Sequence, residues 1–268
     1  MKRDAHIHSP YCPHGTKDAL TAYVEKALAS GFTDISFTEH APLPSSFEDT
    51  TPDKDSGMDL ATLSAYLEAV NKVKDQYKKD IKIRTGLEVD YIEGYEDETR
   101  IFFDEFGPML DDSILSVHFL KLADKYICID FSKETFTDAA QIAGSTSALY
   151  DLYYDAVELS ISADLGLYKP TRIGHPTLIH KFQLDHGKKI DDSNRIKKLF
   201  RHIAAAGYEI DLNSAGFSKP GCQESYPPQN YLPYAESLGI PLVYGSDAHS
   251  VAGLHKHYEK LYNKSTIL

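Results

Sequence analysis

Asp4-Ala5-His6-Ile7-His8-Ser9-Pro10 reads as a short β-strand near the start of the chain. Alternate side chains of a strand share a face, so His6 and His8 point one way while Ala5 and Ile7 point the other. Two imidazoles on one strand face make half a metal site. An isolated pair of this kind suits an exposed edge strand equally well, so the reading turns on which partners the rest of the 268 residues supply.

Working outward, strand patterns alternate with helical ones, the mark of βαβ units and a parallel sheet or barrel. A loop from Pro10 to Gly15 carries His14, and a helix from about Lys17 to Ser30 stops at Gly31. Strands are expected at Asp34–Thr38, ending in Glu39-His40; at Ile81–Val89, delivering Glu88; and at Ser113–Leu120, delivering His118. Further strands are expected at Thr171–Gly174 before His175, Tyr208–Leu212 before Asn213-Ser214, and Pro241–Tyr244 before Ser246-Asp247-Ala248-His249. Helices fill Asp59–Lys79, Glu134–Asp164 with a break near Gly144, and Asp192–Ala206 closed by Gly207; Tyr126–Phe131 reads as a short extra strand. The ligand-type residues sit at the C-terminal ends of strands, the rim where catalytic groups converge in α/β barrels. The expected fold is therefore α/β, a distorted (β/α)7 TIM-like barrel with its active site on that rim. No linker, repeat or low-complexity tract divides the chain, so one domain over 1–268 is expected.

With 42% apolar and 11% aromatic residues the chain has the makings of a well-buried core. No apolar run reaches the length of a membrane span, and Met1-Lys2-Arg3-Asp4 leads into a strand with no signal-peptide core, so a cytoplasmic location and no membrane partner are expected. Three scattered cysteines, Cys12, Cys128 and Cys222, fit a reducing compartment. A net charge of −12 argues against nucleic acid as a partner. Bound divalent cations are absent from that count and would turn an acidic cleft electropositive.

The rim collects His6, His8, His14, His40, Glu88, His118, His175, Asp247 and His249, seven imidazoles and two carboxylates. So many polar groups gathered without compensation would cost several kcal/mol, and metal ions remove that cost. Nitrogen and carboxylate donors without thiolates suit zinc, manganese or iron(II). Nine are too many for one tetrahedral ion and suit two or three divalent ions sharing a bridging carboxylate.

The spacing of His-x-His, His14, Glu39-His40, Glu88, Ser116-Val117-His118, Gly174-His175 and Ser246-Asp247-Ala248-His249 resembles the polymerase and histidinol phosphatase (PHP) family. Within it the chain is most similar to the monofunctional histidinol-phosphate phosphatases. The stretches that carry this are His8 to Gly15, Phe37-Thr38-Glu39-His40-Ala41-Pro42, Gly86 to Tyr91, Ser116 to Phe119 and Asp211 to Gly216. One departure is Leu115, where a glycine is expected before Ser-Val-His.

The resemblance implies three metal positions: His6, His8, Glu88 and Asp247; Glu88, His118 and His175, with Glu88 bridging; and His14, His40 and His249. It implies hydrolysis of L-histidinol phosphate to L-histidinol and phosphate in histidine biosynthesis, by attack of a metal-bridging hydroxide, with Glu88, Asp247 and His249 as catalytic residues. Three divalent ions contribute about +6 against −2 from the two carboxylates and −1 from the hydroxide, leaving roughly +3 to receive a phosphate dianion. The alternative is another PHP-type phosphoesterase acting on nucleotides or a different small phosphate ester. The expected partner is a small-molecule phosphate ester; the oligomeric state is left open.

Other residues divide between site and scaffold. Lys181, Asn213 and Lys219 are candidates for substrate contact, and Glu39 for support of a neighbouring imidazole. Arg172 is one residue out of phase with His175 and is expected to face the helices. His180, His186, His202, His255 and His257 have no strand-end placement and read as solvated or locally bonded. Cys12 lies between two ligand candidates but has no free activating base and reads as inert. The long loop Ala41–Gly57, with Phe47, Glu48, Asp49, Asp53 and Asp55, is read as an anionic and aromatic mouth for the amino and imidazole end of the substrate.

Overall fold

The computed structural model describes residues 2–187 and 189–262, so the last six residues of the expected domain lie outside it. Seven strands form one parallel sheet: β1 (Arg3–Ile7), β2 (Asp34–His40), β3 (Lys82–Asp90), β4 (Asp112–Ser116), β7 (Arg172–Ile173), β8 (Glu209–Asn213) and β9 (Leu242–Gly245), neighbours in that order. Just past β9, Ile7 bridges Ala248, Asp247 N donates to His6 O at 2.8 Å and His8 N to Ala248 O at 3.0 Å, so the sheet curls nearly shut into a barrel. Its thinnest seam is the two-residue β7, which meets β4 at Leu115 and Ile173.

Helices α1 (Leu20–Ala29), α2 (Leu60–Tyr77), α4 (Lys133–Ile142), α5 (Thr146–Ser162) and α6 (Ser193–Ala206) follow the expected order, with the break between α4 and α5 at Gly144. Each buries an apolar stripe, as in Leu63, Leu67, Val70 and Val73 of α2. Gly207 ends α6 in the left-handed region at φ 70°, which only glycine enters without strain. Three helices have no clear signal in the sequence: α3 (Glu96–Phe106), whose charged sequence buries little beyond Thr99 and Phe103, and the short α7 (Leu232–Ser237) and α8 (Tyr258–Tyr262).

The fourth strand is shorter than expected. It ends at Ser116, and the chain leaves the sheet through Val117-His118 into an antiparallel hairpin of β5 (Phe119–Leu122) and β6 (Lys125–Cys128). Asp90 fixes the exit, accepting from His118 N at 3.2 Å and Nδ1 at 2.7 Å.

Arg172 faces the barrel interior, contrary to its expected orientation. It is buried, and its Nη2 donates to Ala5 O and to Asp112 Oδ2, each at 3.0 Å. Asp112 also accepts from Arg3 Nη2 at 2.6 Å. Strands β1 and β4 are not neighbours, so a side chain touching both must lie inside the barrel. There these charges form its floor, away from the ligand-bearing rim.

Candidate metal centre

The rim brings the imidazoles and carboxylates together. His6 and His8 both turn inward beyond an irregular β1–β2 register between Asp4 and Ile7, with their Nε2 atoms 3.3 Å apart. Glu88 projects from β3 between two groups. Its Oε2 lies 3.3 Å from His6 Nε2, 3.5 Å from His8 Nε2 and 3.3 Å from His40 Nδ1. Its Oε1 lies 2.8 Å from His175 Nε2 and 3.9 Å from His118 Nε2, and accepts from Ser116 Oγ at 2.6 Å. Asp247 Oδ1 stands 3.2 Å from His8 Nε2 and 3.6 Å from His6 Nε2. His175 and Asp247 hold these places with φ of 24° and 53°, conformations that cost a non-glycine residue about 1–3 kcal/mol and persist where the surroundings impose them.

Three compact groups emerge: His6, His8 and Asp247; Glu88, His118 and His175; and His8, Cys12, His40 and His249, each with candidate ligand atoms within 4.8 Å of one another. His14 sits at the outer lip, its ring 5.0 Å from those of His40 and His249 and its Nδ1 donating to Asp55 O at 3.0 Å. Cys12 is buried, and burial beside Glu39 pushes its thiol pKa up. The sequence placed no sulfur in any of these groups.

A tier of acids behind the rim fixes the imidazoles. His6 donates from Nδ1 to Asp211 at 2.8 Å, His8 to Glu39 at 3.1 Å and His118 to Asp90 at 2.7 Å. Glu39 is wholly buried and also accepts from Ser9 N at 2.7 Å. Asp211 and Asp90 escaped the sequence reading, although each is one alternation from a rim residue, Asn213 and Glu88. With Nδ1 protonated toward an acid, each of these rings turns a lone pair on Nε2 toward the centre. The centre is then lined by acceptors that oppose one another unless a cation lies between them, and that donor set fits divalent metal ions. The same acids make the centre electronegative, so it favours positive charge, whether protons on the rings or metal ions in their place. Burial opposes charge on His8 and His118, yet Asp247 and Glu39 raise the first to about 9 and Asp90 the second to about 10. Burial likewise disfavours charged Glu88, but His6 and His175 hold its carboxyl well below the usual range. In contrast, burial and the neighbouring His8 push His249 down to about 3.

The centre opens into a cleft of about 510 Å3 lined by His14, His118, Asp130, Lys181, Lys219 and Lys256 among others. Lys181 lies in a turn after β7 and donates to Asp130 Oδ2 at 2.9 Å. Asn213 does not line the cleft: it is wholly buried, and its amide donates to Asp211 Oδ2 at 3.1 Å and Asp247 Oδ2 at 3.2 Å. Of the acidic residues of the loop 41–57, Asp53 and Asp55 line the cleft. Phe47 does not form its mouth; it is buried against Phe119, Tyr95 and Tyr126. Asp49 caps Thr51 and Ser56, and Glu48 pairs with Lys54.

The remaining histidines are scaffold. His180 is buried between Asp192 at 2.7 Å and Glu224 at 2.6 Å, His255 donates to Asp4 at 2.8 Å, and His257 meets Ser218 Oγ at 2.9 Å. No helix among the described residues is long and apolar enough to cross a membrane.

Known proteins resemble this chain in sequence and fold. The PHP domain family matches residues 4–215. The histidinol-phosphatase of Bacillus subtilis is 45% identical over 97% of this chain and 97% of its own. A probable histidinol-phosphatase of Deinococcus radiodurans is 32% identical over 92% of this chain and 85% of its own. A crystal structure from Listeria monocytogenes, of a chain assigned as a histidinol phosphatase, superposes with a TM-score of 0.91 at 41% identity, covering 97% of this chain and 99% of that one. The histidinol phosphate phosphatase of Lactococcus lactis, solved with zinc, L-histidinol and phosphate, shares the fold at a TM-score of 0.71 and 20% identity. Matched over most of its length by that domain and by those relatives, the chain belongs to the PHP domain family.

Proposed function

We propose that this chain is a metal-dependent phosphomonoesterase that hydrolyses L-histidinol phosphate to L-histidinol and phosphate in histidine biosynthesis. The observation that carries this reading is Glu88, whose two oxygens face two separate imidazole groups at the floor of one cleft. The 45% identity to the Bacillus subtilis enzyme supports the substrate.

In this reading His6, His8, Glu88 and Asp247 hold one divalent ion, and Glu88, His118 and His175 a second. His40 and His249, with His14 at the lip, hold a third; zinc, manganese and iron(II) all suit these donors. The ions, when bound, supply positive charge for the phosphate and lower the pKa of coordinated water. The protein groups do the rest. Asp211, Glu39 and Asp90 keep protons on Nδ1 and lone pairs on Nε2 where they are needed. Glu88, Asp247 and His249 are the catalytic residues of this reading, set at the floor where the phosphate arrives. Lys181, kept charged by Asp130 against its burial, takes a phosphate oxygen, and Lys219 approaches from the rim. Asn213 acts through Asp247, donating to the oxygen that faces away from His8. The whole chain serves as one domain, because β9 and the residues after it complete both sheet and site. Its setting in this reading is cytoplasmic and its partner a small phosphate ester, with no nucleic acid.

Phosphate release from histidinol phosphate, p-nitrophenyl phosphate, nucleoside monophosphates and a 3′-phosphorylated oligonucleotide tests this, with metal analysis of the same sample. The expected result is a clear preference for histidinol phosphate and more than one ion per chain. A preference for nucleotides would replace the substrate; at most one ion, with no gain on adding zinc, manganese or iron(II), would remove the multinuclear site.

A further inference from the structure

The cleft mouth is bipolar. Asp53 and Asp55 line it from the loop after β2, while Lys219 and Lys256 line it from the turns after β8 and β9. Neither of these two lysines forms an ion pair among the described residues, in a chain with 40 acidic and 28 basic side chains. The turn that presents Lys256 is built with unusual care for a surface segment. Its carbonyl oxygen accepts from Tyr244 Oη at 2.7 Å and Ser214 Oγ at 2.9 Å. His255 and His257, on either side, hold φ of 60° and 62°. The first is anchored by Asp4 and a 3.6 Å ring stack on Phe32, the second by Ser218 Oγ, the neighbour of Lys219. Lys260, in the helix Tyr258–Tyr262 that follows this turn, lies 3.7 Å over the Phe217 ring and so joins that helix to the segment after β8. Backbone held in such conformations on both sides of an exposed, unneutralised lysine fixes where that side chain leaves the surface, at the edge of the cleft.

We propose that Lys256, together with Lys219, is the entry contact for the phosphate group, steering a phosphate monoester dianion past the acidic surface and turning it phosphate-first toward the centre. This rests on the phosphomonoesterase reading above. A chain of net charge −12 repels dianions at long range, so a local positive edge at the mouth raises both their concentration there and their rate of entry. The cationic end of an ester such as histidinol phosphate is then left facing Asp53 and Asp55. Lys256 is a positioning residue: it acts on arrival and orientation, before the ester reaches the floor.

The test is kcat/KM of the metal-loaded enzyme for histidinol phosphate and p-nitrophenyl phosphate between about 20 and 300 mM NaCl. It compares wild type with Lys256→Gln, Lys256→Arg and the double variant Lys219→Gln/Lys256→Gln. Lys256→Gln is expected to lose about three- to tenfold in kcat/KM at low salt on both esters, chiefly through KM, with metal content intact. The deficit should close as salt screens the charge over a Debye length of about 10 Å at 0.1 M. The double variant should lose more, and Lys256→Arg should restore the wild-type slope. A wild-type-like salt slope in Lys256→Gln would overturn the proposal, as would a salt-independent loss or one confined to kcat. Failure of wild type to hydrolyse either ester would instead remove the reading on which the proposal stands.

Discussion

Asp211 Oδ2 stands 2.8 Å from Nδ1 of His6, both side chains wholly buried, across 205 residues of sequence. Gly245 makes room for this approach: a Cβ there would come within 2.3 Å of Asp211 Oδ1 and 2.6 Å of His6 Cβ. The carboxylate also accepts from Asn213 Nδ2 at 3.1 Å, so it organises a ligand candidate without facing the cleft itself. Asp211→Asn is expected to weaken metal retention about 10- to 100-fold, the usual cost of losing such a supporting acid. Metal content after dialysis against a weak chelator, with circular dichroism to confirm folding, measures this. Unchanged retention would show that His6 is oriented by the barrel alone.

Glu88→Gln is expected to damage turnover more than His14→Ala. Glu88 faces His6, His8 and His40 with one oxygen and His175 and His118 with the other, whereas His14 stands at the lip with its side chain 38% exposed. Loss of the shared charge should cost several tenfold steps in kcat, each about 1.4 kcal/mol of barrier. Near-wild-type turnover in Glu88→Gln would break the bridging assignment.

The rim was legible because its residues follow two simple rules, alternation along strands and placement at their C-terminal ends. Arg172 shows where alternation fails. Alternation back from His175 puts it on the helix side, but His175 lies beyond β7 with φ 24°, which turns its side chain out of register. Gly174, in phase with Arg172, is the position that faces Ser116 inside the barrel. Phe47 shows a second limit: in sequence it belongs to an acidic loop, yet Phe119 and Tyr126 of the β5–β6 hairpin, together with Tyr95 before α3, bury it. Asp211 was hidden for the same reason, since its one-alternation offset from Asn213 means little until His6 is placed beside it.

His180 gives the fold a pH dependence of its own. Burial opposes its charge, but hydrogen bonds to Asp192 and Glu224 override this and raise it to about 9, with the Tyr154 hydroxyl also on Asp192. The folded pKa exceeds the unfolded value near 6.5, so the stabilisation is complete below about pH 6.5 and is lost as pH rises through 9. His180→Gln should therefore lower Tm at pH 6.5 by several degrees, corresponding to about 2 kcal/mol, and the gap should narrow by pH 9.5. Thermal unfolding of both proteins across that range checks the sign; a gap that widens with pH would mean that His180 is neutral in the fold.

The acidic side of the mouth should set selectivity. Histidinol phosphate carries an ammonium as well as an imidazole, and Asp53 and Asp55 are the carboxylates of the 41–57 loop that line the cleft. Glu48 is paired with Lys54 and Asp49 is spent on Thr51 and Ser56, so the loop contains its own controls. Asp53→Asn/Asp55→Asn should lower kcat/KM for histidinol phosphate by roughly 1 to 3 kcal/mol, the range for losing charged contacts to a substrate. Hydrolysis of p-nitrophenyl phosphate should barely change, because that ester has no cationic end. Glu48→Gln should alter neither. Equal losses on both esters would indicate damage to His14, which donates to the Asp55 carbonyl, and no loss on either would place recognition of the ammonium elsewhere in the cleft, with Asp130 the next position to test.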